Sequence, residues 1–273
     1  MSLHIFHDLE QGTDEWLAAR CGIVTASVVG NLITKGSPDA LAVDCPRCEA
    51  PSESPCLSTA RKVPTPIKTV HDERPLEASA LPPIYRPATN DTSRGLANTL
   101  LAERITGYVE PIHPTRDMER GTLDEPYARE VYSEHYEPAT EIGFMVRDDW
   151  GFRIGYSPDG LVGNDGLIEI KSRKQKVQLA TILTDEVPAE NMAQIQCGLL
   201  VSGRNWLDYV SYCGGMPLYV KRVLPDPVWF EAITEAVALF EATSSQVLDT
   251  YTAAVANRPA TERIDHFPEM EIF

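Results

Sequence analysis

The chain has 273 residues, 43% of them hydrophobic, and a formal net charge of −16 at pH 7. A chain of this size can bury one large core with room for a small appendage. The acidic balance argues against a broadly basic DNA-binding surface, whereas a site for divalent cations needs carboxylates. With no run of ~20 apolar residues and no basic start followed by an apolar stretch, we expect a cytoplasmic protein without a membrane span or signal peptide.

Helical patterns begin near the N-terminus. Residues 14–20 ("DEWLAAR") have helical composition, and a second helix begins at "SVVGNLI", with Thr25 or Ser27 as its N-cap. Residues 91–110 form a predicted amphipathic helix, because leucines recur at spacings of three and four before Gly107. The helices predicted further along the chain cover residues 117–135, 188–203 and 227–256.

Strand patterns lie between the later helices. They predict strands at residues 140–147, 152–157, 166–172, 205–213 and 218–224. Turns at Asp148–Gly151 and Pro158–Gly166 separate the first three. Helices followed by a strand meander, then by a helix and further strands, indicate an α/β fold with a mixed central sheet flanked by helices.

Residues 36–90 differ in character from the rest of the chain. They hold about half of the chain's 21 prolines and show no sustained periodicity. A structureless loop of this length inside a compact domain needs something that holds it in place. We therefore predict that residues 36–90 are an insertion into a core formed by residues 1–35 and 91–273.

An acid–lysine pattern follows the turn "SPDG". Pro158 and Gly160 fix that turn and hold Asp159 at a strand end. Glu169 and Lys171 share one face of the next strand, since strand side chains alternate. The hairpin between them allows Asp159 and Glu169 to share one ion, and such oxygen ligands suit Mg²⁺ or Mn²⁺.

This pattern has a chemical and a structural interpretation. A bound ion would polarise a phosphate and activate water, and Lys171 would orient that water or stabilise developing charge. A turn aspartate and a Glu-x-Lys strand also occur together as a solvated face with an ordinary ion pair. The residues by themselves leave both interpretations open.

Four blocks of the sequence, in this order, resemble the signature blocks of the phage lambda exonuclease and YqaJ-type viral recombinases. They are "QGTDEWLAARCGIVTAS", "RGTLDEPYARE", "GYSPDGLVGNDGLIEIKSRK" and "NMAQIQCGLLVSG", within about residues 11–213. The family belongs to the PD-(D/E)xK nuclease class, so the resemblance implies a restriction-endonuclease-like fold. It also implies Mg²⁺-dependent degradation of one strand of linear duplex DNA from the 5′ end.

The same resemblance implies a biological setting. It implies double-stranded DNA ends as the substrate, a role in phage recombination and a single-strand annealing protein as partner. It further implies a homo-oligomer, a trimer in the best known member, and the host cytoplasm as the location of a phage-encoded protein. No oligomer interface can be recognised in the sequence itself.

Metal-binding and catalytic roles follow from the resemblance position by position. Glu125, in "RGTLDEPYAR", would be a helix-borne acid that helps to hold the metal. Asp159 and Glu169 would be the principal metal ligands, the backbone carbonyl of Ile170 would complete the coordination shell, and Lys171 would be the catalytic lysine. Glu125 has an alternative interpretation as an acid that pairs with the helix dipole.

The remaining roles concern the substrate. Gln194, in "MAQIQ", would contact the attacking water or the DNA, or face solvent. Arg20 and Ser27 would bind the 5′-terminal phosphate, which an arginine beside a helix N-terminus favours independently, although a surface arginine and a simple N-cap explain them too. The family also has an acid before the "SPDG" turn, and the spacing does not choose between Asp148 and Asp149.

A cysteine cluster lies in the insertion, in "CPRCEAPSESPC". Cys45 and Cys48 form a CPxC turn that can present two thiolates to one tetrahedral zinc ion, and Cys56 follows. A closed structural site needs a fourth ligand, and His71 is the only histidine of the insertion. The segment resembles a small zinc-binding module of actinobacterial phage proteins; the alternative is three free cysteines in a flexible loop.

Basic residues of the insertion have two interpretations, a DNA contact or a solvated face. They are Arg61, Lys62, Lys68 and Arg74. The leading hypothesis for the whole chain is a metal-dependent 5′→3′ exonuclease with a zinc-bearing insertion. Its rivals are an endonuclease, a Cas4-like nuclease, whose trailing cluster cysteines are missing here, and a catalytically idle DNA- or protein-binding module.

Overall fold

A computed structural model describes residues 2–60, 62–111 and 113–264. In chain order its helices are α1 (Asp14–Arg20), α2 (Ala26–Val29), α3 (Glu73–Ala78), α4 (Asp91–Thr106), α5 (Arg116–His135), α6 (Gln175–Thr184), α7 (Ala189–Ser202) and α8 (Pro227–Val255). The helices predicted around α1, α4, α5, α7 and α8 are thereby confirmed. Among the helices in these ranges, none is long and apolar enough to cross a membrane.

Strands form two mixed sheets and a separate ladder. They are β1 (Leu3–Phe6), β2 (Val24–Thr25), β3 (Ile33–Gly36), β4 (Ile84–Pro87), β5 (Ala139–Thr140), β6 (Phe144–Arg147), β7 (Ile154–Tyr156), β8 (Gly160–Val162), β9 (Gly166–Ser172), β10 (Trp206–Tyr212) and β11 (Tyr219–Val223). The sheet orders are β1-β6-β7-β2 and β11-β10-β9-β8-β5. The pairs β2–β7 and β9–β10 are parallel and the other pairs antiparallel. The predicted mixed α/β architecture is confirmed.

The main core forms around α7. Side chains of this helix such as Ile195, Leu199 and Val201 are almost completely buried, and they pack with Ile233 and Val237 of α8. Each buried aliphatic side chain contributes roughly 1.5–3 kcal/mol by leaving water. This packing fixes the position of α7, and therefore of any polar side chain that it presents to a cavity.

Segments that the sequence did not predict are short or weakly patterned. β1 and β8 have four and three residues, too few for a clear alternation. β8 lies within the segment predicted as a turn and gains its hydrogen bonds from β5 and β9. α6 was also missed, and its side chain Gln178 is buried against the backbone carbonyls of Ser211 and Pro217.

The insertion leaves and re-enters the core through one ladder. β3 and β4 pair antiparallel from Ile33 with Pro87 to Gly36 with Ile84. Tyr85 of β4 stacks on Trp229 of α8, with 3.9 Å between ring centroids. β3 therefore ends at the predicted start of the insertion, residue 36, and β4 lies just before its predicted end, residue 90, so the ladder joins the insertion to the core.

Candidate active site and zinc cluster

A cavity of about 420 Å³ opens where α1, α2, α5 and α7 meet the edges of β7 and β9. Every residue predicted for the nuclease site lines it: Arg20, Ser27, Glu125, Asp159, Glu169, Ile170, Lys171 and Gln194. These residues come from segments up to about 170 positions apart in the chain. The structure therefore brings together both predicted groups, the acid–lysine group and the phosphate-binding pair.

Glu169 lies at the centre of the acid–lysine group. Its side chain is 1% exposed, and its Oε1 accepts hydrogen bonds from Lys171 Nζ at 2.7 Å and from Gln194 Nε2. Its Oε2 accepts a hydrogen bond from the hydroxyl of Tyr156 at 3.2 Å. Ile170 packs on the opposite face of β9, as the predicted alternation requires. Tyr156 was missed from sequence because a buried tyrosine in a strand is usually a core residue.

Asp159 is held at the junction of β7 and β8. Its Oδ2 accepts a hydrogen bond from the backbone N–H of Ile170 at 2.6 Å, and Arg129 Nε donates to its backbone carbonyl at 2.8 Å. Arg129 also forms an ion pair with Glu125, four residues earlier on α5. One arginine thus ties together the two segments that present Glu125 and Asp159. The spacing of four on a helix was the sequence signal for this pair.

The acids of the cavity repel one another. Burial raises the pKa of Asp159 well above its ordinary value, and the neighbouring Glu169 raises it further. Burial also raises the pKa of Glu125, although Arg129 partly opposes this. Burial by itself would lower the pKa of Lys171, but Glu169 and Asp159 outweigh burial and raise it. The cavity therefore favours positive charge beyond what its own lysine supplies.

This donor set fits a divalent cation. Four carboxylates line the cavity against one lysine and one arginine, so that two formal negative charges remain in excess. Convergent carboxylate oxygens with a backbone carbonyl nearby are the ligands that Mg²⁺ and Mn²⁺ prefer. A cation bound there would lower the repulsion that raises the pKa of Asp159.

Arg20 and Ser27 form a second corner of the same cavity. The guanidinium of Arg20 lies over the ring of Trp16 at 4.3 Å, and its Nη2 donates a hydrogen bond to Thr25 Oγ1 at 3.3 Å. Thr25 Oγ1 is 3.1 Å from Ser27 Oγ. Thr25 rather than Ser27 holds the N-cap position of α2, which has only four residues. This corner therefore offers a cation and two hydroxyls rather than a strong helix dipole.

Asp148 and Asp149 lie away from the cavity. Asp149 accepts a hydrogen bond from the backbone N–H of Ser2 at 2.9 Å and pairs with Arg147 at 3.1 Å. Asp148 is 3.7 Å from the imidazole of His4. Neither aspartate is among the residues that line the cavity, so neither supplies the additional acid that the family resemblance suggested.

The four predicted zinc ligands converge in the insertion. The ligand atoms of Cys45, Cys48, Cys56 and His71 all lie within 4.8 Å of one another, and Cys45 Sγ is 3.3 Å from His71 Nδ1. A tetrahedral zinc ion with Zn–S bonds of about 2.3 Å places its ligands about 3.8 Å apart. These residues, called the zinc cluster below, therefore fit zinc, and the alternative of free cysteines in a flexible loop does not match this convergence.

The basic residues of the insertion divide into two kinds. Lys62 and Lys68 are exposed, and Arg61 lies outside the described residues. Arg74 is 0% exposed and donates hydrogen bonds to backbone carbonyls of the insertion. The expectation that Arg74 lies on a DNA-contacting or solvated face was therefore wrong. Sequence could not reveal this, because a buried arginine and an exposed one look alike within a charged stretch.

Two stretches of the chain match known protein domains. Asp159 after a proline, with Glu169 and Lys171 two residues apart on the next long strand, is the pattern that carried the family resemblance of the sequence. Residues 90–205 match the YqaJ-like viral recombinase domain. Residues 12–91 match the "Putative DNA-binding phage zinc finger domain". The chain is therefore similar to a YqaJ-like viral recombinase domain over its middle part and to a phage zinc finger domain over the part before it.

Solved structures show the same likeness. The alkaline exonuclease LHK-Exo from Laribacter hongkongensis is 26% identical, with a TM-score of 0.65, and the match covers 90% of this chain and 100% of that one. The structure of LHK-Exo in complex with dAMP matches over the same shares, with 25% identity and a TM-score of 0.65. Among curated proteins, no sequence matches the chain.

Proposed function

We propose that this protein is a divalent-metal-dependent exonuclease that degrades one strand of linear duplex DNA from its 5′ end during phage recombination. One observation carries the proposal. The acids Glu125, Asp159 and Glu169 with Lys171, and the phosphate-binding corner of Arg20, open onto a single cavity. LHK-Exo is an alkaline exonuclease, and the likeness extends over the whole of its chain, which supports the same activity here.

The metal is the first element of the proposal. Glu125, Asp159, Glu169 and the backbone carbonyl of Ile170 would hold Mg²⁺, or Mn²⁺ in its place. The ion supplies Lewis-acid polarisation of the phosphodiester and activation of water. The fit rests on the excess of carboxylates in the cavity and on the raised pKa values of Glu125 and Asp159. A bound cation would lower both pKa values by stabilising the ionised carboxylates.

Lys171 and Gln194 are placed to act on the reacting groups. Both donate a hydrogen bond to Glu169 Oε1, so the ammonium group of Lys171 and the amide group of Gln194 are held at the same point of the cavity. Lys171 carries positive charge at neutral pH, since its carboxylate neighbours raise its pKa. It stabilises the negative charge that develops on the phosphate, and Gln194 orients the attacking water or the scissile phosphate.

The phosphate-binding corner gives the proposed polarity. A 5′-terminal phosphate carries more negative charge than a phosphodiester inside the strand, and an arginine recognises it by charge-assisted hydrogen bonds. Arg20 and the hydroxyls of Thr25 and Ser27 offer those contacts in the same cavity as the acids. The related LHK-Exo was solved with dAMP, a nucleoside monophosphate of the kind that an exonuclease releases from either strand end, so the proposed polarity rests on this corner alone.

The biological setting completes the proposal. The substrate would be double-stranded DNA ends in the cytoplasm of the host, with a phage single-strand annealing protein as partner. A homo-oligomer, a trimer by resemblance, would enclose the DNA. The excess of carboxylates in the cavity repels the phosphate backbone, and a bound divalent cation would reverse that local charge.

A single assay separates this function from its rivals. The protein is incubated with linear duplex DNA that carries or lacks a 5′ phosphate, and with closed circular DNA, each in Mg²⁺ or EDTA. We expect Mg²⁺-dependent release of mononucleotides from linear DNA, faster release with a 5′ phosphate, and intact circles. Cleavage of closed circles would instead identify an endonuclease, and the absence of any Mg²⁺-dependent product would identify a binding module.

A further inference from the structure

Arg74 is an arginine buried inside the zinc-bearing insertion. Its side chain is 0% exposed. Nε donates to the carbonyl of Val43 at 2.9 Å, Nη1 to that of Ser54 at 2.7 Å and Nη2 to that of Pro51 at 2.9 Å. The guanidinium therefore occupies the interior that an apolar core would fill in a larger domain, and it satisfies three carbonyls that would otherwise lack donors.

This buried charge has no carboxylate partner among the described residues. The ion pair nearest in sequence joins the exposed Arg47 to Glu73 and does not include Arg74. The group near Arg74 that can carry negative charge is the thiol of Cys56, whose Sγ is 3.5 Å from Nη1. A buried cation without a counter-charge is strongly destabilising, so the fold must supply that charge in its working state.

The zinc cluster can supply this negative charge. Zinc is bound by thiolates, so an ion with Cys45, Cys48, Cys56 and a neutral His71 carries one net negative charge. We propose that Arg74 is the counter-charge of this centre and the residue that positions its ligand loops. With Arg74 in place the buried assembly is neutral, and the hydrogen bond to Cys56 orients one of the three sulfurs.

The path of the chain supports this role. Arg74 lies in the first turn of α3 three residues after His71, and its backbone N–H donates to the carbonyl of His71 at 3.0 Å. The carbonyls that it binds belong to Val43, Pro51 and Ser54, which flank the CPxC turn and precede Cys56. One side chain therefore connects the segment of the histidine ligand to the segments of the three cysteines. The proposal does not depend on the nuclease function.

Three variants of the full-length protein test it. Arg74→Gln removes the charge and keeps hydrogen-bond donors, whereas Arg74→Lys keeps the charge without the forked donors. Lys68→Ala removes an exposed basic residue of the same insertion, away from the CPxC turn, and is the control. Zinc affinity is measured by competition with a chromogenic chelator, and thiolate ligation is measured by the charge-transfer absorption of the Co²⁺-substituted protein.

We expect Arg74→Gln to weaken zinc binding about tenfold to a hundredfold and to shift the thiolate-to-cobalt band. Arg74→Lys should bind zinc with an affinity between those of Arg74→Gln and the wild type, and Lys68→Ala should match the wild type. Wild-type affinity and an unshifted band in Arg74→Gln would overturn the proposal. If Arg74→Gln does not fold, Arg74→Lys provides the test. Complete loss of zinc binding in Arg74→Lys, which retains the positive charge, would also overturn the proposal.

Discussion

Two regions of this molecule gather metal ligands in opposite ways. The zinc cluster takes its four ligands from one segment between Cys45 and His71, and two of its thiols are only 1% exposed. The active-site cavity takes its residues from helices and strands far apart in the chain and stays open at about 420 Å³. Structural metal sites are closed, whereas catalytic sites keep room for water and substrate. The contrast indicates a structural role for zinc and supports the catalytic role proposed for a metal in the cavity.

The two regions also differ in how they balance charge. In the zinc-bearing insertion, buried Arg74 contacts three carbonyls and a cysteine sulfur. In the cavity, burial and the neighbouring Glu169 raise the pKa of Asp159 well above its ordinary value. The cavity therefore retains an unfavourable charge that a bound cation or a proton relieves, so the two sites should respond differently to substitution and to metal removal.

The largest expected effect is loss of hydrolysis from changes in the cavity. Lys171→Ala should lower the rate of mononucleotide release by about a hundred- to a thousandfold, because a donor aimed at developing charge is lost. Asp159→Asn should lower it at least as much. The exposed Asp249→Asn on α8 is the matched control and should match the wild type.

Both cavity variants should keep their zinc content and far-ultraviolet circular dichroism. Wild-type rates in Lys171→Ala would remove that lysine from the mechanism. Loss of both zinc and activity in either variant would mean that the zinc cluster and the cavity depend on each other, contrary to the contrast drawn between them.

The next effect concerns removal of each metal. EDTA at a concentration that removes Mg²⁺ should stop hydrolysis without changing amide exchange in α7. Cys48→Ser should release zinc and expose the amides that now donate across the insertion, such as Cys45 N–H to the carbonyl of Ala50 at 2.8 Å. Hydrogen exchange followed by mass spectrometry measures both. Cys213→Ser, a buried cysteine outside the insertion, is the control that should keep zinc.

A smaller effect is expected at the phosphate-binding corner. Arg20→Ala should reduce the preference for 5′-phosphorylated ends by about tenfold to a hundredfold, which corresponds to loss of one or two charged hydrogen bonds. The rate on 5′-hydroxyl ends should change little. Arg153→Ala, an exposed arginine in the β6–β7 turn, is the control. An unchanged preference in Arg20→Ala would place 5′-end recognition elsewhere.

The smallest effect is on stability in the absence of metal. The folded-state pKa of Asp159 lies above its ordinary value of 3.8, so its protonated form favours the fold. That stabilisation is present below the ordinary pKa and is lost as the pH rises through the folded-state pKa. Metal-free Asp159→Asn should therefore melt above the metal-free wild type at pH 7, by about 2–4 °C for each kcal/mol of repulsion removed, and close to it near pH 4.

Scanning calorimetry in EDTA at the two pH values measures this difference. Equal melting temperatures at pH 7 would mean that the acids of the cavity do not repel one another in the metal-free protein. The contrast with the charge-balanced zinc cluster would then be lost.

Much of the fold followed from local pattern. The long helices were predictable because repeated leucines and a glycine stop carry the signal, and Gly107 does end α4 in the left-handed conformation, with a φ of 67°. The strands β9, β10 and β11 are five residues or longer and were also predicted. The short β1 and β8 were not, because three or four residues are too few to show a strand pattern.

The sequence by itself determined which residues could form each site. A CPxC turn with a third cysteine and one histidine specifies zinc, because the ligands and their spacing lie in one short segment. Asp159, Glu169 and Lys171 likewise lie within a single short stretch of sequence. Both patterns are local signals, and the structure brings the residues of each group together.

Only the tertiary structure decided the partners of those residues. It joins Arg20 to the acids in one cavity, excludes Asp148 and Asp149 from it, and buries Arg74 beside the zinc ligands. These outcomes depend on burial and on contacts between distant segments, which no local pattern contains. The physical reason is that a charged side chain acquires its role from the groups that surround it after folding, not from its neighbours along the chain.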